Sequence, residues 1–348
     1  MFKASELFQI TPGFTFCCLI AALIVAVTDQ ISQTILNPLL IALLLGMLVK
    51  NSFPKVRWYR AGIKFSEKYV LEFSVMILGA TIFLPDVLGA GLGLFGLILV
   101  GIAGSMLIAF ILGHLVLKLS SKLALLIGVS NSICGNSAAA TLAPIIGASS
   151  VELSSVIAIS GVLGAAQIIL LPLLVPAFGL SDYHYGIVAG MAVYAVAQVY
   201  AASATVSATS ASVATFVKLI RVVLLVPLIL IVELLISLKG SRLAGNSDEE
   251  TGKSAFRNIH IQHYLPWFVI GFIVLAALRY AGVIDEQIGN DVRDISKYTF
   301  LIAMLGIGMR VNIRDIFEVG PKVALVIISV LFFMIVVSMI WGNFLPIS

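Results

Sequence analysis

Ser130-Asn131-Ser132-Ile133-Cys134-Gly135-Asn136-Ser137 sits in the middle of a run, Leu123 to Ala148, that carries no charged side chain. A bilayer core about 30 Å thick takes about 20 mostly apolar residues per helix, so this run is long enough to cross it. Its centre, however, is polar and contains a glycine. An unsatisfied backbone amide at membrane depth costs several kcal/mol, and a break is tolerated there only against protein or a wet cavity. Secondary transporters hold their solutes on broken helices of this kind. The stretch therefore predicts a polytopic membrane protein with a small-molecule site in its middle.

The rest of the chain agrees. Its 348 residues are 60% hydrophobic and 11% charged, with a mean hydropathy of +1.12, which excludes a soluble globular domain. The apolar runs are continuous and do not alternate with polar residues, which argues against an outer-membrane barrel. The fold class is all-α and polytopic. About eleven spans of bilayer length can be drawn, over 12–28, 35–50, 69–88, 91–118, 122–148, 152–177, 184–204, 211–238, 264–282, 296–313 and 321–346. A polar stretch, 239–263, reads as a solvated linker between a first part (1–238, eight spans) and a second (264–348, three spans). Lys3 before the apolar run at 14–27 resembles the start of a signal peptide. Glu6, the missing small-x-small site and the spans that follow make it the first helix instead.

Orientation follows from the connections. Lys50, Lys55, Arg57, Arg60, Lys64 and Lys68 fall on one side, and with every span crossing once they are joined there by Lys118, Lys122, Lys239, Arg242, Lys253, Arg257, Arg310, Arg314 and Lys322. Asp29, Glu152 and the acidic 285–294 stretch fall on the other. The positive-inside rule then puts the N-terminus in the cytoplasm and the C-terminus in the periplasm of a bacterial inner membrane. Residues 78–87 (LGATIFLPDV) align weakly with 307–316 (IGMRVNIRDI), in spans that run in opposite directions. Such an inverted repeat is a common transporter plan, although Gly and Asp also recur at helix ends by chance.

Several residues could carry chemistry. If the helix unwinds near 133–135, the half-helix that follows starts near Asn136 with free amides. A helix N-terminus carries about half a positive charge and suits an anion. Ser130, Asn131, Ser132, Cys134, Gly135, Asn136 and Ser137 form that candidate site, and the competing reading is that small residues simply let helices pack closely. Residues 198–212 (QVYAASATVSATSAS) are small and polar. They read equally as a second unwound segment or as an outer loop with an N-cap near Ser210 or Ser212, but Gln198 lies inside a span and needs a partner. Lys218 and Arg221 share one face of the eighth span. Lys218 is near enough to the span's end to snorkel. Arg221 is deeper, and its planar fork suits an oxyanion. Arg310, near the end of the tenth span, is a second such cation.

The absences point away from catalysis. No Asp or Glu lies in the broken segment, and the chain has no GxxxxGK[ST], HExxH or GxSxG element. The three cysteines, Cys17, Cys18 and Cys134, have no metal-ligand or disulfide spacing. The four histidines stand at span ends or in loops. No enzyme activity, metal, cofactor or nucleic acid is expected; the expected partners are a small anion and the lipid bilayer, with a homodimer left open.

Two blocks carry a family resemblance. One is Leu126-Ile127-Gly128-Val129-Ser130-Asn131-Ser132-Ile133-Cys134-Gly135, followed by 138–140 (AAA) and Pro144. The other is Ala197-Gln198-Val199 with Ala201-Ala202, then Lys218, Arg221 and Pro227. On these the chain resembles the YeiH-type bacterial inner-membrane proteins, described as sulfate exporters, and through them the inverted-repeat antiporters and bile-acid-type symporters. The resemblance implies a secondary transporter that exports sulfate or a related sulfur oxyanion, held between 130–137 and the Tyr194–Gln198 region. A sodium- or proton-coupled organic-acid carrier is the alternative, and a membrane-embedded enzyme or channel a more distant one. The family commonly has a His and an acidic residue where Tyr194-Ala195 stand here, and often an Arg where Thr81 stands. Loss of that titratable pair implies that proton coupling through it is missing.

Overall fold

The computed structural model describes residues 4–30, 38–52, 59–81, 91–232, 267–309 and 320–342, and these are helical with short connections. Helix α1 is Ala4–Gln30 and α2 is Pro38–Ser52. Helix α3 (Arg60–Phe65) continues through a π turn, Ser66–Val70, into α4 (Leu71–Leu78). Helix α5 (Gly91–Phe110) is followed by α6 (Ser121–Ser132), α7 (Asn136–Ile145) and α8 (Ser150–Leu170). Helix α8 bends at Leu171–Leu173 into the short α9 (Leu174–Phe178). Then come α10 (Asp182–Ala192), α11 (Val196–Ala204) and α12 (Ala208–Val223). Helices α13 (Trp267–Tyr280), α14 (Glu286–Gly308) and α15 (Pro321–Gly342) complete the order. Among the described residues, five stretches are long and apolar enough to cross a membrane: Gln9–Thr28, Gly91–Val116, Ser150–Phe178, Ala208–Val232 and Pro321–Trp341.

The runs 122–148 and 184–204 do not cross. Helices α6 and α7 have 12 and 10 residues, about 15–18 Å each at 1.5 Å per residue, half of a bilayer. They lie back to back. At the mouth of this hairpin Ser120 bonds Glu152, and Lys122 Nζ donates to the Gly147 carbonyl at 2.7 Å. Two half-helices in line would hold those residues more than 30 Å apart. Helices α10 and α11, with 11 and 9 residues, fold back in the same way. The Tyr185 hydroxyl donates to the Ala202 carbonyl at 3.1 Å, and Ser210 Oγ to the Asp182 carbonyl at 2.7 Å. Helix α8 joins the two hairpins and is long enough to cross, so they enter from opposite ends of the molecule. The end with Ser120 and Glu152 is called here the near end, and that with Asp182 and Ser207 the far end.

This corrects the reading of 122–148 and 184–204 as single crossings, and with it the count of about eleven. Glu152 stands beside Lys122, not across the membrane from it. Because two crossings are removed together, the side expected from the sequence for the other positive connections is unchanged. Serines cap the helix starts on both sides of each hairpin mouth. Ser120, Ser149, Ser181 and Ser207 each accept the amide of the residue three positions on, Ser149 within a capping box closed by Glu152. The cap near residue 210 is therefore Ser207. The 285–294 stretch belongs to α14, whose N-cap is Asp285. The 239–263 linker, Arg310 and most of the 78–87/307–316 repeat lie outside the described residues.

The helices sort into two bundles. Helices α1–α4, α13 and α14 pack on one another, as do α5–α8, α10–α12 and α15, and among the described residues they meet mainly where α11 touches α4 and α14. Glycine marks the tightest seams, and each seam stays inside one bundle. A methyl group at Gly46 would strike the Leu305 carbonyl, at Gly79 the Phe272 carbonyl, and at Gly190 the Ala214 carbonyl. Across the boundary the contact is made by large side chains. Tyr200 stacks on Phe300 with ring centroids 4.0 Å apart and planes at 10°.

Candidate binding site at the hairpin tips

The first tip is built by local sequence. Helix α6 ends as the Gly135 amide donates to the Ser130 carbonyl at 2.8 Å. Gly135 has φ 75° and ψ −123°, a conformation open to glycine alone. A Cβ there would also come within 2.8 Å of the Tyr194 ring. Helix α7 then starts at Asn136 with no side-chain cap. Asn136 and Ser137 are exposed while Ala138 and Ala139 behind them are buried.

The second tip, Val193-Tyr194-Ala195, has no glycine. Val193 and Ala195 are extended, and distant side chains hold the break open. Lys218 Nζ donates to the Val193 carbonyl at 2.9 Å and Gln167 Nε2 to the Ala192 carbonyl at 3.0 Å. The Gln198 side chain turns back to accept the Ala195 amide at 3.3 Å and donates to the Gly161 carbonyl at 3.3 Å.

The tips touch. The Tyr194 hydroxyl donates to Asn136 Oδ1 at 2.7 Å and stands 3.0 Å from Ser130 Oγ. Arg221 links both hairpins from α12. Its Nε donates to the Ser132 carbonyl at 2.8 Å and its Nη2 to the Asn131 carbonyl at 2.8 Å; its Nη1 reaches the Gly190 carbonyl at 2.7 Å and also the Met191 carbonyl. These are the last carbonyls of α6 and α10, the negative ends of two half-helices, which a cation complements. Arg221 and Lys218 are both fully buried. The carboxylates among the described residues of this bundle are Glu152 and Asp182, both at its ends.

Of the residues expected from sequence, Ser130, Asn131, Ser132, Cys134, Gly135, Asn136, Ser137, Tyr194, Gln198 and Arg221 all lie at or against the two tips. Several face structure and not open space. Asn131 Nδ2 donates to the Ile127 carbonyl at 2.9 Å, while its Oδ1 is buried without a partner. Ser132 Oγ donates to the Val129 carbonyl at 3.3 Å. Cys134 Sγ stands 2.9 Å from Ser137 Oγ. Arg221 has most of its fork on main-chain carbonyls, so the reading of that fork as an open oxyanion clamp gives way to one of anchoring. Lys218 was missed: it does not snorkel but reaches the second tip. Its spacing of three from Arg221 inside an apolar span was the signal. Gln167 was missed as well, and only a polar residue in an apolar helix could have marked it.

A family profile described as "Conserved hypothetical protein 698" matches residues 12–328. Similar curated proteins include a UPF0324 membrane protein of Bradyrhizobium diazoefficiens, 34% identical over 92% of this chain and 88% of its own length. A UPF0324 membrane protein of Agrobacterium fabrum is 36% identical over 95% of this chain and 94% of its own. The UPF0324 membrane protein YdhF of Lactococcus lactis is 30% identical over 95% and 98%. No solved structure matches the chain.

Proposed function

The chain belongs to the UPF0324 membrane protein family, and from that premise and the hairpin tips we propose that it is a secondary transporter of a small anion. Sulfate or a related sulfur oxyanion, as in YeiH-type exporters, is the first candidate. One observation carries this reading. Two fully buried cations, Lys218 and Arg221, meet at the tips, and among the described residues no carboxylate of their bundle is near them. Burying charge without a counter-charge is costly, and an anion at the tips supplies one. The positive ends of α7 and α11 add to the same field, since the negative ends of α6 and α10 are already neutralised by Arg221 and Lys218. Exposed Asn136 and Ser137 offer neutral hydrogen bonds to a bound oxyanion.

Hairpins that enter from opposite ends suit an inverted-repeat plan, and two bundles that meet through side chains suit alternating access by movement of one against the other. By the positive-inside rule the near end is cytoplasmic, with the N-terminus inside and the C-terminus outside. Catalysis fits less well: Cys134 is buried against Ser137, whereas a reactive thiol sits in an accessible site. A cavity of about 820 Å³ between the bundles favours a second reading, an organic-acid carrier, because it is the size of a pocket for larger solutes.

Purified protein in liposomes should equilibrate radiolabelled sulfate faster than protein-free liposomes. Lys218→Met should lower that flux at least tenfold while Arg221 still anchors both hairpins. Flux of sulfate, a permanent anion, should stay flat between pH 5.5 and 8.5, because no histidine or carboxylate stands at the tips. Liposomes that pass neither sulfate, thiosulfate nor succinate above background would overturn the proposal.

A further inference from the structure

The cavity between the bundles opens at the far end, where α1 and α14 part from α8, α11 and the start of α12. Thr28, Thr81 and Arg293 line it from one bundle and Ile168, Tyr200 and Ser212 from the other. Its inner wall approaches the site: Ile168 is next to Gln167, which holds the second tip, and Tyr200 stands on α11 just beyond Gln198.

Charge in this cavity is uneven. Lys297, also on its wall, pairs with Asp294 at 2.9 Å. Arg293 is half-buried and has no hydrogen-bond or ion-pair partner among the described residues. Tyr200 is buried by its stack on Phe300, and its hydroxyl likewise has no hydrogen bond among the described residues. A guanidinium with free N–H groups offers two parallel bonds to the oxygens of a carboxylate or sulfate. The hydroxyl of Tyr200, which lines the same cavity from the other bundle, can donate a third.

We propose that Arg293, with the Tyr200 hydroxyl, is the capture site for an oxyanion-bearing solute at the far-end mouth of the cavity. The proposal rests on the transport reading and adds to it a division of labour. Capture is shared by Arg293 on α14 of one bundle and Tyr200 on α11 of the other, and the tips that carry the solute onward belong to the second bundle. Arg293 is therefore a specificity-determining residue whose loss weakens binding but leaves the tips intact.

The test uses the full chain as wild type, Arg293→Gln, Arg293→Lys and Tyr200→Phe. Uptake of labelled sulfate and of labelled succinate into proteoliposomes is measured against concentration, and binding of both anions to the detergent-solubilised protein by calorimetry. Arg293→Gln should raise KM and Kd at least tenfold for one of the two anions, with the maximal rate within about twofold of wild type and an unchanged melting temperature. Arg293→Lys should recover part of the loss, since it keeps the charge but not the fork. Tyr200→Phe should cost a few-fold. The anion that responds identifies the class, sulfate-like or carboxylate. Affinities within twofold of wild type for both anions would make Arg293 a snorkelling interfacial residue and overturn the proposal, while the transport reading stands on the measured flux. Binding that depends on Arg293 without any flux would sink the transport reading and keep the capture site. Absence of both binding and flux in wild type would end both.

Discussion

Arg221 donates to carbonyls of residues 131, 132, 190 and 191, so a single side chain closes the ends of two helices that are far apart in sequence. A buried carbonyl left without its donor costs about 1–3 kcal/mol. Arg221→Met orphans several of them at once, and the variant should melt at least 10 °C below wild type in detergent or fail to accumulate. Tyr194→Phe removes only the hydroxyl's links to Asn136 and Ser130 and should cost about 1–3 kcal/mol, a smaller fall in the same melting measurement. An Arg221→Met protein as stable as wild type would show that the tips are held by Lys218 and Gln167 instead. The comparison also separates anchoring from anion binding, which a transport assay on Arg221 variants alone cannot do.

At the scale of the elements, the two hairpins make opposite demands on a reader of the sequence. The first tip was legible because its cause is local: Gly135 and five Ser and Asn residues interrupt an apolar run. The second was not, because Val193-Tyr194-Ala195 are ordinary span residues and the causes of the break, Gln167 and Lys218, lie 25 residues away on either side. That the segments return was hidden in both cases. Hydropathy reports how much chain can lie in a membrane, not whether its direction reverses, and two reversals leave the charge bias of the remaining loops unchanged. Labelling can test the reversal. With Cys17, Cys18 and Cys134 replaced, Ser121→Cys and Ser150→Cys should react with an impermeant maleimide from the same side of the membrane, and Asp182→Cys and Thr209→Cys from the opposite one. Reaction of positions 121 and 150 from opposite sides would restore a full crossing between them.

At the scale of the whole molecule, glycine seams bind each bundle internally, and the boundary carries the Tyr200–Phe300 stack. Motion should therefore be concentrated at that boundary. With the native cysteines replaced, Tyr200→Cys/Phe300→Cys joined by a short thiol-reactive bridge should lose at least nine-tenths of its sulfate flux and keep its melting temperature. Cleaving a reducible bridge should restore the flux. Unaltered flux in the bridged protein would place the movement within a bundle instead of between the two. The fastening of the hairpins by Arg221 bears in turn on how the protein is made. Arg221 is synthesised 89 residues after Ser132, whose carbonyl it will take. At about 5–20 residues per second that is an interval of several seconds or more. Through it the Asn131 and Ser132 carbonyls of the newborn first tip lack their permanent donor, and bare lipid cannot supply one. It must wait in the insertion machinery or in water that follows it into the bilayer, and a chain broken off before residue 221 leaves quality-control proteases two unfastened hairpins to recognise.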